Sequence, residues 1–421
     1  MSINWKRILL LIGFVAAVFL IGFLLYYFFL KPTLPSTEPV TNTNGTGALP
    51  GAGSNVNIQT AGNTNGALPG TNANSANQAT PPPDVSPNAI TVSEIANGGL
   101  TKTTALTETV VYQPTLDQNS SEIIYYDKST GLFYKIATDG KATPLSDQIF
   151  HEVQNVTWSP DKQKAVLEYP DSSKIVYDFS TNKQVTLPKH WKEFSFSPTS
   201  DRLVFKSMGS TEETRWIAVA NADGSEATKV EHLGNQDKTV DTIWSPAGQI
   251  VAMYRKDKDF DRQNLYFLGQ NNENFKSTII EGRGFEGQWS TDGSQLLYSV
   301  YSSNTDYKPS LWLVSANGES IGQNRKNLQI QTWSNKCTFA NTTSIYCAVP
   351  RQLSSGAGIF SSEMDTSPCD IYKIDLTSGN KTKVAIPQGN QNINDVLVTK
   401  DESYLYFTSK TDGLLYKINL K

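Results

Sequence analysis

Only three histidines occur in the 421 residues, His151, His190 and His232, and only three cysteines, Cys337, Cys347 and Cys369. That scarcity removes most of the side chains that move protons at neutral pH or hold transition metals. The three histidines are expected in connections between strands. There is no His-Glu-x-x-His, no Gly-x-Ser-x-Gly elbow and no glycine-rich phosphate loop, and no hydrolase-like stretch follows the repeats described below. These absences lead to the expectation of a non-catalytic protein with no cofactor and no metal. A basic stripe is missing too. Lys and Arg number 36 against 40 Asp and Glu, a formal charge of −4, which argues against nucleic acid as a partner. Helical periodicity is absent beyond about residue 97, where short apolar runs alternate with Gly, Asn, Asp and Ser turns, the signal of an all-β chain.

Charge is also absent from residues 8–30, an apolar run long enough to span a bilayer as a helix. Lys6 and Arg7 precede it and Lys31 follows, so the positive-inside rule places residues 1–7 in the cytoplasm and the rest outside. Tyr26 and Tyr27 suit an interfacial belt. Residues 31–90 are dominated by Asn, Thr, Gly, Ala, Pro and Ser and repeat Ala-Leu-Pro-Gly at 48–51 and 67–70. Such a segment lacks the apolar residues to offset its ordering entropy and reads as a disordered linker. At roughly 5–6 Å × √n its mean reach is about 40 Å. The expected organisation is a single-pass membrane protein with an extracytoplasmic domain over 91–421.

Within that domain one phrase recurs. An aromatic or apolar residue ends a β-run, a polar turn follows, and a second run begins. The clearest copies are Trp158-Ser159-Pro160-Asp161, Phe196-Ser197-Pro198, Trp244-Ser245-Pro246 and Trp289-Ser290-Thr291-Asp292-Gly293, with weaker ones at Leu116, Phe339 and Val398. Each is followed by a third run, a tight turn such as Asp139-Gly140, Asp223-Gly224 or Asn317-Gly318, and a more polar fourth run. The spacing is that of one propeller blade. Seven units of four antiparallel strands predict a seven-bladed β-propeller. The seventh unit ends after its third strand at Lys421, so residues 91–106 are expected to supply the missing outer strand and close the ring.

The phrase resembles the Trp-Ser-Pro-Asp-Gly repeat of TolB-type, WD40-like (PD40) propellers, specifically in the four copies quoted. The resemblance implies the fold and a habit of binding macromolecules in the cell envelope, and names no partner. It implies structural roles for the family's aromatic and proline, which puts Trp158, Trp244 and Trp289 in the core.

The connections between second and third strands emerge on one face of a propeller. They are short in units one, two and seven, and long at 207–214, 255–263, 301–310 and 351–369. Recognition usually resides on such loops. The candidate binding rim comprises Arg255, Asp259, Phe260, Arg262, Tyr307, Lys308, Phe360 and Met364, a mix of charge and aromatics that suits an envelope or extracellular protein or peptide. The alternative is an enzyme or a small-ligand or glycan sensor using the central channel. Asp257-Lys258-Asp259-Phe260-Asp261 has the alternating carboxylates of a calcium loop, but Arg262 stands where the required Gly belongs and Leu268 where the bidentate Glu belongs. Cys337 and Cys347 flank the turn of the sixth unit symmetrically, so a disulfide between them is geometrically possible, with Cys347–Cys369 as the rival pairing.

Overall fold

The computed structural model describes residues 18–21, 23, 24 and 91–421 apart from 272. The expected cytoplasmic segment, most of the expected spanning helix and the expected linker lie outside the described residues. Among the described residues no helix is long and apolar enough to cross a membrane.

From residue 91 onward the chain is a seven-bladed propeller. Blade one contains Val111–Leu116, Ile123–Asp127, Leu132–Ile136 and Ala142–Pro144, from the axis outward. Blade two contains Asn155–Trp158, Lys164–Glu168, Lys174–Asp178 and Lys183–Leu187. Blade three contains Trp191–Phe196, Arg202–Met208, Arg215–Asn221 and Thr228–His232. Blade four contains Val240–Asp241, Ile250–Asp257, Gln263–Gly269 and Thr278–Ile280. Blade five contains Arg283–Trp289, Gln295–Tyr301, Ser310–Ser315 and Lys326–Asn327. Blade six contains Cys337–Asn341, Ser344–Pro350, Cys369–Asp375 and Lys381–Pro387. Blade seven contains Ile393–Val398, Tyr404–Ser409 and Leu415–Asn419. One histidine departs from expectation. His232 ends the outer strand of blade three, where its ring meets Trp216 edge-on at 5.0 Å.

In blades two, three, five and seven the recurring phrase shapes the turn through its hydroxyl more than its proline. Ser159 Oγ donates to Asp161 at 2.5 Å and accepts the Lys164 amide at 2.9 Å, which closes the turn between first and second strands. Ser197–Asp201, Ser290–Asp292 and Thr399–Asp401 repeat the side-chain bond at 2.7 Å each. Blade seven therefore keeps the turn with Thr399-Lys400-Asp401 and no proline. At Gly293 (φ +71°) a Cβ would sit 2.5 Å from the Ala247 amide nitrogen, so the turns of blades four and five close on each other only with glycine there. The aromatic of the phrase packs between blades. Trp244 is buried, and Trp158 stacks on Phe179 at 5.3 Å and meets Phe133 of blade one edge-on at 5.4 Å. The core is a series of apolar clusters, most of which draw residues from two neighbouring blades.

Closure uses the N-terminal segment twice. Thr104–Ala105 pairs antiparallel with the third strand of blade seven, Thr104 opposite Lys417, and supplies the missing outer strand. Leu100–Thr101 runs parallel to the outer strand of blade six, Leu100 opposite Ile386, as a fifth strand that the repeat pattern did not anticipate. The segment thus stitches blade six to blade seven. Gly98 makes the approach possible: it holds φ +90°, and a Cβ there would lie 3.0 Å from the Lys383 carbonyl oxygen.

In blade six Cys337 lies directly opposite Cys347 on adjacent strands, and the two are joined as a disulfide. Cys369 is free and buried. The bridge closes a short loop, and its reduction is expected to lower unfolding free energy by about 2–3 kcal/mol. Denaturant titration with and without a thiol reductant measures this.

Candidate functional site

The long connections of blades four to six form one linked rim. In blade four the flanking strands run out to Asp257 and Gln263, which leaves a tight tip at residues 258–262. Every carboxylate of its acidic motif is engaged by protein. Asp257 accepts from Gln263 Nε2 at 2.8 Å and pairs with Arg283; Asp259 pairs with Arg262 at 2.6 Å; Asp261 accepts Ser303 Oγ of the blade-five loop at 2.7 Å. Arg283, at the start of blade five, also donates to the Phe260 carbonyl at 2.9 Å. These contacts use the acids as fasteners, and no group of three or more metal-ligating side chains occurs among the described residues.

The blade-five loop is joined in turn to the blade-six insert. Asp306 accepts Ser355 Oγ at 2.8 Å and the Gly356 amide at 3.0 Å, and the Tyr307 carbonyl accepts the Gly358 amide at 2.8 Å. Gly358 has no room for a side chain, since a Cβ would lie 2.6 Å from Tyr301 Cβ. The insert continues through Ile359, Phe360 and the single helical turn Ser361–Met364, then descends to Asp365. Asp365 is buried and pairs at 2.8 Å with both Lys336 and Lys410. Lys336 is 1 % exposed and also donates to the Ile393 carbonyl at 2.5 Å. Cys369 lies beside it, Sγ 4.0 Å from the ammonium, and burial pushes its thiol pKa up.

The eight residues singled out in the sequence separate accordingly. Phe260 is 77 % exposed and Phe360 53 %, and they are the two exposed phenylalanines of the described propeller; Ile359 joins them at 45 %. Asp259 and Arg262 are paired with each other at the blade-four tip. Tyr307 (φ +54°), Lys308 and Met364 are half-buried supports of the loops. Arg255 points inward. Its side chain is 14 % exposed, pairs with Asp241 at 3.2 Å, donates to the Lys238 carbonyl at 3.0 Å and lies over the Phe285 ring.

The partner of Arg255 belongs to a set that loop length did not reveal. Counting three residues back from the apolar residue of each phrase gives Gln113, Asn155, Glu193, Asp241, Glu286, Lys336 and Asp395, a polar residue in each innermost strand except that of blade six, where Lys336 immediately precedes the strand. In blades one, three, five and seven a β-bulge occurs at this level, the device that re-aims a side chain. The signal was present in the sequence as a polar residue at a fixed offset. Most of its charges are answered locally. Lys206, itself 1 % exposed, pairs with Glu193 and with Asp237, and Arg255 answers Asp241, whose carboxyl burial pushes up against that pull. Burial likewise pushes up the carboxyls of Glu286 and Asp395, and Asp395 accepts bonds from Asn394 at 2.6 Å and Thr408 at 3.0 Å. Asp395 lines a cavity of about 520 Å³ with Gln113, Gln288, Asn335 and Lys410.

The sign of the Asp395 shift sets a pH dependence. A carboxyl raised in the folded state loses stability as pH climbs from the ordinary carboxylate value through the folded one, because the unfolded chain ionises first. Asp395→Asn is therefore expected to stabilise the protein by about 1 kcal/mol at pH 7, with the gain gone below the carboxylate range. Thermal unfolding across pH reads it out.

No protein-family model matches the chain, and no curated protein sequence matches it. Solved structures do. An oligogalacturonate lyase from Vibrio parahaemolyticus is 12 % identical over 76 % of this chain and 93 % of its own, with a TM-score of 0.52. The β-propeller domain of Cps50 (Swd1) from Myceliophteria thermophila is 10 % identical over 76 % of this chain and 100 % of its own, with a TM-score of 0.50. TolB from Acinetobacter baumannii is 14 % identical over 63 % of this chain and 66 % of its own, with a TM-score of 0.42. At these identities the likeness is one of fold alone: the chain shares a β-propeller architecture with the two structures matched at a TM-score of 0.50 or more, and fold does not fix activity.

Proposed function

We propose that the protein is a non-catalytic binding module of the cell envelope, anchored in the membrane through residues 8–30, with its propeller outside. Its partner is a protein or peptide that docks on the rim of blades four to six. The observation that supports this reading most is the placement of Phe260, Ile359 and Phe360. Large apolar side chains are held in water on loops that are fastened to one another by side-chain bonds Asp261–Ser303 and Asp306–Ser355 and the backbone bond Tyr307–Gly358. A pre-ordered rim loses little entropy on docking, and exposed aromatics are the usual anchors of an interface. Pull-down from membranes with wild-type protein and a Phe260→Ser/Phe360→Ser variant tests it. Capture by the wild type alone supports the rim; equal capture by both refutes it.

A second reading, a small-ligand sensor in the channel, is favoured by the 520 Å³ cavity at Asp395. Its signature would be a ligand-dependent rise in melting temperature that Asp395→Asn abolishes.

A further inference from the structure

Two depressions, of about 670 and 600 Å³, meet at blade five. They share Asn304, Thr305 and Asn327, so they form one groove that runs from the blade-four tip to blade six. Half-buried Trp312 lines the first depression and half-buried Tyr372 the second. Between them stand the amides of Asn304, Asn327 and Gln329. All but one of the charges along the groove are satisfied within the protein. Arg262 pairs with Asp259 at 2.6 Å, Arg325 with Glu281 at 2.9 Å and Asp261 accepts from Ser303; the exception is Lys381 at the blade-six end, an exposed ammonium 3.5 Å from the neutral Gln329 Oε1.

We propose that this groove binds a neutral oligosaccharide. Sugar hydroxyls both donate and accept, and side-chain amides offer donor and acceptor on one planar group. The apolar face of a pyranose matches an aromatic ring, and the groove has one ring in each half. Each depression has a volume in the range of ligand sites. An extended peptide fits less well. Strand addition needs a free backbone edge, but the outer strand is only Lys326–Asn327, and the flanking backbone is already paired through Leu311 N–H to the Ile330 carbonyl and Leu328 N–H to the Leu311 carbonyl. The site lies beside the apolar crest of the rim and touches it at Phe260, so glycan and protein are recognised by adjoining surfaces.

The test is titration of the full-length protein in lipid nanodiscs, free of glycoside detergent, with maltohexaose, cellohexaose and N-acetylchitohexaose, read by calorimetry and tryptophan fluorescence. At least one probe is expected to bind with a micromolar to millimolar Kd. Trp312→Ala should weaken it about tenfold or more. Asn304→Ala/Gln331→Ala, which alters two exposed side chains beside the groove and leaves the core intact, should weaken it severalfold. Phe360→Ser should leave it unchanged while impairing protein capture, which separates failure here from failure of the rim. The proposal is overturned if no probe binds at about 10 mM, if both groove variants bind like wild type, or if the same residues prove to hold an uncharged peptide instead.

Discussion

Replacing Lys336 by methionine is expected to destabilise the protein by about 3 kcal/mol or more, because it strips a buried carboxylate of the more deeply buried of its two cations. Asp365 is 5 % exposed and Lys336 1 %. Water cannot substitute for the lost partner, and the Ile393 carbonyl loses a donor as well. Lys410 remains at 2.8 Å from Asp365, which keeps the loss from being larger. The same change should loosen the blade-six insert, since Asp365 is its inner anchor and the carbonyl of Asp365 accepts Asn392 Nδ2 at 2.8 Å. Urea denaturation gives the energy, and hydrogen exchange over residues 352–364 gives the loosening. A loss below about 1 kcal/mol, with unchanged exchange, would show that the pair does not hold the rim. Lys336→Arg should recover only part of the stability, because the larger guanidinium must enter a site shaped for an ammonium.

Deleting residues 98–106 is expected to abolish cooperative folding of the propeller. The deletion removes the outer strand of blade seven and the fifth strand of blade six together. It exposes the third strand of blade seven as an open edge, a template for intermolecular pairing. Thr101 is fully buried, and the Leu106 amide donates to the Leu415 carbonyl at 2.8 Å, so the segment is packed as well as paired. The expected result is concentration-dependent aggregation and a shallow unfolding curve. Deleting 91–95 instead, which removes the Ser93 bridge to Thr101 but leaves both paired strands in place, should lower the midpoint far less and keep unfolding cooperative. If the 98–106 deletion still unfolds cooperatively with a wild-type slope, closure by this segment is not what holds the ring.

The architecture was readable because its signal is repeated. Trp158, Phe196 and Trp289 each end an inner strand and Trp244 follows one by three residues, and a polar turn comes after each, so one phrase located four blades and its spacing located the rest. The fifth strand was not readable: Leu100–Thr101 is two residues long, and nothing local distinguishes it from Thr104–Ala105 beside it. Parallel pairing to Ile386 and Pro387 is a long-range choice made by the ring. The site divides similarly. Loop length pointed to Phe260 and Phe360, which the fold leaves exposed, because insertions lie outside the core by necessity. It also pointed to Arg255, which folds inward onto Asp241, because a strand that extends past its neighbours looks like loop in sequence. The channel positions required counting from the phrase, since Glu193, Asp241, Glu286, Lys336 and Asp395 share a level but no common residue type.

The measurement that tests the central claim most directly is photo-cross-linking in intact membranes, with a benzophenone side chain placed at position 260, at 360, or at 185. Position 185 is exposed on the outer strand of blade two, away from the rim. Recovery of the same protein partner from 260 and 360 but not from 185 is the predicted result. Cross-links from 185 alone, or the same yield from all three positions, would contradict a binding surface on the rim of blades four to six.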